Sequence, residues 1–260
     1  MPARAAFRTG DVTVHCLADG AGHFGPDVFP GVNATTFTAA CDAGAAPGIA
    51  THYNAYALRF DDGAVWLVDT GRGPLFGAGA GQLPAHLAAL GIAAGDVSRI
   101  VFTHLHGDHA GGALADGALV YPRAEVVMHA DEAAFWAGKD SAGGRLLAAV
   151  SPTCVTDGED LGRGLRAWAL PGHTPGHMGL RIGADLVLTG DILHADALQL
   201  AAPATATRYD TDTARATQSR MGALAHIAES GLVWSGSHTA GAGQFARLAR
   251  AGAGYRRLPL

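Results

Sequence analysis

The stretch Thr103-His104-Leu105-His106-Gly107-Asp108-His109 carries the strongest signal in this sequence. It follows directly on residues 97–103 (VSRIVFT), an apolar run that predicts a buried strand. Imidazole and carboxylate groups are ligands for Zn, Fe, Mn and Co. Four such groups within six residues predict a metal site at the end of that strand, because they are costly to bury with nothing bound.

The spacing within this stretch predicts how its side chains are divided between metal positions. His104 and His106 are two residues apart, so in an extended segment they point the same way and can bind one metal ion. Gly107 permits a sharp turn. After that turn, Asp108 and His109 can face a neighbouring position, which suggests a second ion.

Three further strand ends offer ligands of the same kind. Residues 171–177 read PGHTPGH, where His173 sits directly after a predicted strand and His177 opens the next one. We therefore assign His173 to the metal site and His177 to a structural or supporting role. A Thr-Gly-Asp run ends at Asp191, whose two oxygens can bridge two cations, and a Gly-Ser-His run ends at His238. Four separate strand ends with ligands predict one convergent site.

The remaining sequence alternates short apolar runs with Gly, Pro and Asp turn signals. Strands are predicted over residues 12–18, 52–60, 64–69, 97–103, 125–129, 165–170, 179–182, 185–189, 232–235 and 255–258. Helices are predicted over residues 83–90, 131–137, 212–229 and 244–250, and residues 22–50 are predicted to form a long loop. This mixture favours an α/β (α+β) fold with two mixed sheets and helices outside, an αββα sandwich. No linker divides the chain, so residues 1–260 are predicted to be a single domain.

The motifs THLHGDH, PGHTPGH, TGD and GSH, in this order, resemble the metallo-β-lactamase superfamily, whose pattern is HxHxDH followed by His, Asp and His. The run Val68-Asp69-Thr70-Gly71 also resembles that family's turn beside the site. The resemblance implies the αββα fold with two metal ions at one edge of the sandwich. It implies that the first metal is bound by His104, His106 and His173 and the second by Asp108, His109 and His238. Asp191 would bridge the two metals. Asp69 would support these ligands without binding metal.

Stretches outside the ligands are similar to the methyl-parathion-hydrolase-like branch, which includes lactonases, arylesterases and organophosphate hydrolases. These stretches include Leu75-Phe76-Gly77 and Ala134-Phe135-Trp136. By this resemblance Trp136, His194 and Leu200 would lie at the substrate pocket. Leu200 stands where many members have an aromatic wall, which argues against aromatic phosphotriesters. A carboxylic ester or lactone is therefore the favoured substrate, with organophosphate triesters as a side activity.

The implied mechanism is attack by a hydroxide that bridges two divalent ions, Zn being favoured over Fe, Mn or Co. Asp108 would orient that hydroxide and pass its proton to the leaving alkoxide, while Asp191 would hold the metals. Two alternatives stay open: a mononuclear iron dioxygenase acting on persulfides, and a metal-binding protein that has lost catalysis.

The amino-acid composition limits the classes of partner that this protein is expected to bind. A net charge of −5 without any basic run disfavours nucleic acid, and no stretch approaches the ~18 apolar residues of a membrane span. Three well-separated cysteines do not form a disulfide framework. No apolar leader follows the N-terminus, so a cytoplasmic protein is expected. The predicted loop 22–50 could cover its own pocket or a second copy, which leaves a homodimer open.

Overall fold

The computed structural model describes residues 5–41, 48–76, 81–241 and 243–260, and its strands pair into two large sheets. Among these residues the first sheet is formed by β1 (Ala5–Thr9), β2 (Val12–Phe24), β3 (Ile49–Phe60), β4 (Val65–Val68), β5 (Val97–Val101), β8 (Glu125–His129) and β9 (Thr153–Val155). A small separate hairpin is formed by β6 (Leu114–Ala115) and β7 (Ala118–Leu119). The second sheet is formed by β10 (Asp160–Gly162), β11 (Leu165–Ala169), β12 (Met178–Ile182), β13 (Leu186–Leu188), β14 (Val233–Ser235), β15 (Ala246–Ala251) and β16 (Gly254–Pro259).

Both sheets are mixed, as predicted. In the first sheet β4, β5, β8 and β9 pair in parallel, whereas β1 to β4 pair antiparallel. In the second sheet β13 and β14 pair in parallel and the other neighbours pair antiparallel. Parallel neighbours end at the same edge of a sheet, so the loops that follow β13 and β14 start side by side.

Helices cover the outer faces of the two sheets. The α-helices are α1 (Ala34–Ala40), α2 (Leu83–Ala88), α3 (Gly107–Ala110), α4 (Ala130–Trp136), α5 (Ala142–Ala149), α6 (Asp196–Gln199) and α7 (Thr213–Ser230). Single 3₁₀ turns occur at Pro26–Val28, Gly73–Phe76, Ala94–Asp96 and Gly190–Ile192. The longest helix, α7, begins after Asp212, whose side chain accepts a hydrogen bond from the Arg215 N–H, and ends at Gly231 with a left-handed backbone. Both are favourable local signals for the ends of a helix, and α7 lies within one residue of the bounds 212–229 predicted from its apolar spacing.

Among the described residues, buried apolar side chains form four clusters, one of which includes Phe37 of α1 and Leu198 of α6. Val14, Leu58 and Leu180 belong to the cluster between the sheets. A second cluster lies outside the first sheet under α2 and α5, and a third lies outside the second sheet under α7, where Leu224 and Trp234 are buried. The αββα arrangement predicted from the sequence is therefore confirmed.

Two local predictions are wrong. Residues 244–250, predicted as a helix, instead contribute to β15, which pairs antiparallel with β16. Residues 22–50, predicted as one loop, include the end of β2, a 3₁₀ turn, α1 and the start of β3. The Asn33 side chain caps α1 by accepting a hydrogen bond from the Thr36 N–H. Residues 42–47 of this predicted loop, and Gly77 of the stretch Leu75-Phe76-Gly77, lie outside the described residues.

Within the described parts of the chain, no helix combines the length and the apolar character that a membrane span requires.

Candidate metal centre

Three overlapping groups of potential metal ligands meet at one edge of the sandwich. They lie in the segments that follow β5, β11, β13 and β14, where the sequence predicted ligands. One ligand atom from each residue lies within 4.8 Å of the others in its group, the first group being His104, His106 and His173 and the second Asp108, His109, Asp191 and His238. A third group, His173, Asp191 and His194, shares two of its residues with the first two groups. The structure thus brings together all seven residues singled out from the sequence.

Asp191 lies between the first two groups. Its Oδ2 is 3.4 Å from His173 Nε2 and 3.7 Å from His104 Nε2, both in the first group. The same carboxylate is 3.2 Å from His109 Nε2 through Oδ1 and 3.0 Å from His238 Nε2 through Oδ2. One carboxylate is therefore within reach of both groups.

Several of the converging atoms are buried without a hydrogen bond. Within the described residues, His104 Nε2 is buried without a hydrogen-bond partner, and His109 Nε2 and Asp191 Oδ1 are buried and face each other at 3.2 Å without hydrogen-bond geometry. Buried polar atoms are nearly always satisfied, because leaving them unpaired costs free energy. These atoms share one small region and are good donors to a cation, so the residues fit divalent metal ions.

The ionisation of His104, His106 and Asp191 suits the same role. Against the effect of burial, the charge of Asp191 raises the pKa values of His109 and His238, so these two would release a proton on binding a metal. Burial lowers the pKa of His104 and of His106 well below the usual range, so both imidazoles are neutral and keep a lone pair for a metal. Burial opposes the ionised form of Asp191, but the charges of His109 and His238 outweigh it and hold its pKa well below the usual range. The central group is therefore a carboxylate.

A second set of contacts orients the histidines. Asp69, with a left-handed backbone at φ 59°, accepts hydrogen bonds from the Thr103 N–H and hydroxyl, and its Oδ2 is 2.8 Å from His109 Nδ1. His173 Nδ1 is 3.1 Å from Asp210 Oδ1, and Asp210 in turn faces the buried guanidinium of Arg220 at 3.4 Å. Such outer contacts fix which ring nitrogen is presented to a metal.

His177 holds the backbone of the Asp191 loop. Its Nε2 accepts a hydrogen bond from the Asp191 N–H at 2.9 Å, and its Nδ1 is 2.8 Å from the Leu170 carbonyl oxygen. Burial lowers the pKa of His177 to about 4. A neutral ring with the proton on Nδ1 satisfies both contacts, which agrees with the supporting role inferred from its position at the start of a strand.

Glu132, on α4, joins two of the ligand loops. Its carboxylate is buried and accepts hydrogen bonds from the Leu105 N–H at 2.8 Å, the Trp136 indole N–H at 2.6 Å and the Thr174 hydroxyl at 2.6 Å. Leu105 lies between two ligand histidines and Thr174 follows His173. The carboxylate therefore fixes both loops relative to each other.

A cavity of about 310 Å³ opens onto the ligand cluster. Beside the ligands, its lining includes Phe24, Tyr53, Arg72, His194 and Tyr209. The predicted pocket position of His194 agrees with this lining, and its Nε2 lies 3.5 Å from Asp191 Oδ2.

Trp136 and Leu200 require a correction, because neither lines this cavity. Trp136 lies behind the ligands, where its indole N–H is held by Glu132 and its ring meets the His106 ring edge-on at 5.4 Å. Leu200 is buried in the core cluster beneath α7. Aromatic walls come instead from Phe24, Tyr53 and Tyr209, so the sequence argument against aromatic substrates does not hold.

Sequence reasoning missed Asp19, Tyr53, Arg72, Glu132 and Asp210. Asp19 carries a detectable signal, since it is a carboxylate at the end of an apolar strand run. In the structure it is buried and accepts hydrogen bonds from backbone N–H groups of residues 73, 81 and 83. The other four act through contacts with residues distant in sequence, which no local pattern reveals.

The comparisons with known proteins agree with this architecture. The family model of the metallo-beta-lactamase superfamily matches residues 48–226. The hydrolase AbOPH of the beta lactamase superfamily is similar at 25% identity and a TM-score of 0.89, with 100% of this chain and 98% of that chain covered. AidC, a dizinc quorum-quenching lactonase solved with a product, has 21% identity and a TM-score of 0.91 over 100% and 98% of the two chains.

A probable metal-dependent hydrolase from Staphylococcus aureus has 17% identity and a TM-score of 0.81, with 98% and 99% covered. No curated protein matches this chain. The family model covers well over half of the sequence, including the loops that carry most of the ligands. The chain therefore belongs to the metallo-β-lactamase superfamily.

Proposed function

We propose that this protein is a dinuclear-metal hydrolase that cleaves carboxylic esters or lactones. The observation that carries the proposal is the position of Asp191 between two groups of buried donor atoms, several of which lack any hydrogen-bond partner among the described residues. A single metal would leave one of the two groups unused. Two divalent ions, Zn by preference, account for both.

The proposed ligands divide as the two groups do. The first ion would be held by His104, His106 and His173, and the second by Asp108, His109 and His238, with Asp191 shared. When bound, such ions supply an activated water and polarise the carbonyl oxygen of the substrate.

Asp108 is the proposed proton carrier. Both carboxylates line the cavity, but the Asp108 side chain is 22% exposed and that of Asp191 only 2%, so Asp108 is the more accessible of the two to a substrate. Its Oδ2 is 3.7 Å from His238 Nε2 and 3.8 Å from His109 Nε2, which holds it at the edge of the second group. From there it can orient the attacking water and pass a proton to the leaving alkoxide.

The shape of the cavity supports a small ester or lactone as substrate. Rings of Phe24, Tyr53 and Tyr209 line the space beside the ligands. Similarity to AidC, a dizinc quorum-quenching lactonase, supports lactone hydrolysis, and similarity to the hydrolase AbOPH supports a hydrolytic activity. The aromatic lining can also contact an aromatic leaving group, so hydrolysis of organophosphate triesters is retained as a side activity.

Metal analysis of the purified protein combined with a substrate panel tests the proposal. We expect two divalent ions per chain and hydrolysis of p-nitrophenyl esters or acyl-homoserine lactones, with paraoxon turned over more slowly. Exhaustive chelation should abolish hydrolysis, and added metal should restore it. One iron per chain with oxygen uptake on glutathione persulfide would establish the dioxygenase alternative. Two bound ions without turnover of any substrate would establish a metal-binding protein without catalysis.

Asp191→Ala tests the shared ligand. Because Asp191 contacts both groups, we expect the variant to lose metal and to lose at least about a hundredfold in turnover, the order seen when a charge-stabilising group is removed. Asp140→Ala is the matched control, since that carboxylate is exposed, pairs with Arg145 and is neither a ligand nor part of the cavity lining. Two ions and full turnover in the Asp191 variant would contradict the bridging assignment. A cytoplasmic location and a homodimer stay predictions.

A further inference from the structure

One wall of the cavity carries a guanidinium group. Arg72 lines the cavity together with Tyr53, and it is the sole Arg or Lys in the lining contributed by the described residues. Its guanidinium carbon lies 4.0 Å from the centroid of the Tyr53 ring, which is a stacked cation–π contact. The Tyr53 ring in turn meets the His238 ring edge-on at 5.6 Å. Arg72 is therefore linked to the ligand cluster through one aromatic ring.

The backbone around Arg72 is fixed by close contacts. The buried Asp19 carboxylate accepts a hydrogen bond from the Gly73 N–H at 3.0 Å. A Cβ atom on Gly111 would lie 2.3 Å from the Arg72 carbonyl oxygen, so glycine is required for this approach. The first contact holds the segment that follows β4 against β2, and the second holds it against the backbone that follows His109. The position of Arg72 is thus built into the scaffold.

A planar guanidinium held by stacking is preorganised for a planar anion. Guanidinium presents two parallel N–H groups that match the two oxygens of a carboxylate. The stack on Tyr53 restricts rotation of the side chain, so less entropy is lost when a ligand binds. A neutral ester has no anionic group that can pair with the guanidinium.

We infer that Arg72, stacked on Tyr53, recognises a carboxylate on the substrate, so that the esters or lactones this enzyme prefers carry a negative charge away from the scissile bond. This inference rests on the proposed function and narrows its substrate class. Arg72 is a specificity-determining residue in this scheme, and Tyr53 positions it.

Two pairs of matched esters test the inference. Mono-p-nitrophenyl glutarate and p-nitrophenyl pentanoate differ by a carboxylate in place of a methyl group on the acyl side. The pair 4-acetoxybenzoate and 4-methylphenyl acetate has the same difference on the leaving group. For each pair, the ratio of kcat/KM is measured in the wild type and in Arg72→Gln, so that intrinsic reactivity cancels. We expect the ratio to fall roughly tenfold to hundredfold in one pair, as for loss of a charge-assisted hydrogen bond.

Arg8→Gln is the matched control. Arg8 is exposed, pairs with Asp61 and lies outside the cavity lining, so the variant removes the same charge far from the residues that form the wall. Its ratios should equal those of the wild type. In Arg72→Lys the charge is retained and the planar fork is lost, so an intermediate ratio is expected. In the wild type, the preference for the charged ester should weaken with added salt, and this measurement needs no variant.

Failure of this inference is distinguishable from failure of the proposed function. Equal ratios in wild type and Arg72→Gln for both pairs would overturn the carboxylate assignment while leaving ester hydrolysis intact. If neither esters nor lactones are cleaved, the proposed function fails, and calorimetry still tests whether Arg72 binds a carboxylate. The wild type should then bind 4-hydroxybenzoate more tightly than 4-methylphenol, and Arg72→Gln should lose that difference. Equal binding of the two compounds by the wild type would refute the inference.

Discussion

Replacing Glu132 tests whether the ligand loops depend on one buried acceptor. Glu132→Leu keeps most of the side-chain volume but removes the carboxylate that accepts from the Leu105 N–H, the Trp136 indole N–H and the Thr174 hydroxyl. The hydroxyl can rotate to another acceptor, whereas the two N–H groups are fixed. Each buried donor left unpaired costs about 1–3 kcal/mol, so the free energy of unfolding should fall by about 2–6 kcal/mol. That is a large fraction of the ~5–15 kcal/mol typical of a folded domain.

Glu132→Gln is the matched control for this experiment. The glutamine oxygen can accept from both N–H groups, and its amide can donate to the Thr174 hydroxyl, which then acts as acceptor. All three contacts are kept and the charge is lost, so we expect a loss of only about 1 kcal/mol.

Urea unfolding of the metal-free proteins gives the free energies, and competition with a chelator gives the metal affinities. We expect Glu132→Leu to bind metal more weakly than Glu132→Gln, because the ligand loops at Leu105 and Thr174 lose their common anchor. A Leu variant within about 1 kcal/mol of the wild type would refute the structural role. Equal destabilisation of both variants would show that the charge, and not hydrogen-bond acceptance, is what matters.

Two further predictions concern the same surroundings. Asp210→Asn should weaken metal binding about tenfold to a hundredfold, because the carboxylate that orients His173 is lost. Competition with a chelator measures the metal affinity, and an unchanged affinity would contradict the orienting role. Burial raises the pKa of Glu132 above its ordinary value of 4.5, against the hydrogen bonds from Thr174 and Leu105 that lower it. The folded protein therefore binds the proton of the Glu132 carboxyl group more tightly than the unfolded chain does. As the pH rises from about 4.5 through the raised pKa, the free energy of unfolding of the wild type should fall relative to that of Glu132→Gln. Urea unfolding across that range gives the difference, and a difference that does not change with pH would contradict the raised pKa.

The sequence determined the seven residues of the candidate centre and the two-sheet fold, because both leave local marks. Ligands stand at the ends of apolar strands, where HxHxDH sets two side chains on one face and two beyond a turn. The strand and helix periods, with the cap at Asp212 and the glycine at Gly231, are likewise local. For these features neighbouring residues carry the physical information.

The tertiary structure alone decided what lines the cavity and what supports the ligands. Glu132 and Asp210 contact loops far away in the sequence, and Arg72 contacts a ring on β3. A carboxylate or guanidinium on a helix or turn looks like any exposed charge until its partner is known. Residues 244–250 show the same limit in the backbone, since their apolar spacing suits a short helix but pairing with β16 makes them a strand. In each case the structure is decided by the free energy of contacts between segments that are far apart in the sequence. A short stretch of sequence contains no information about such contacts.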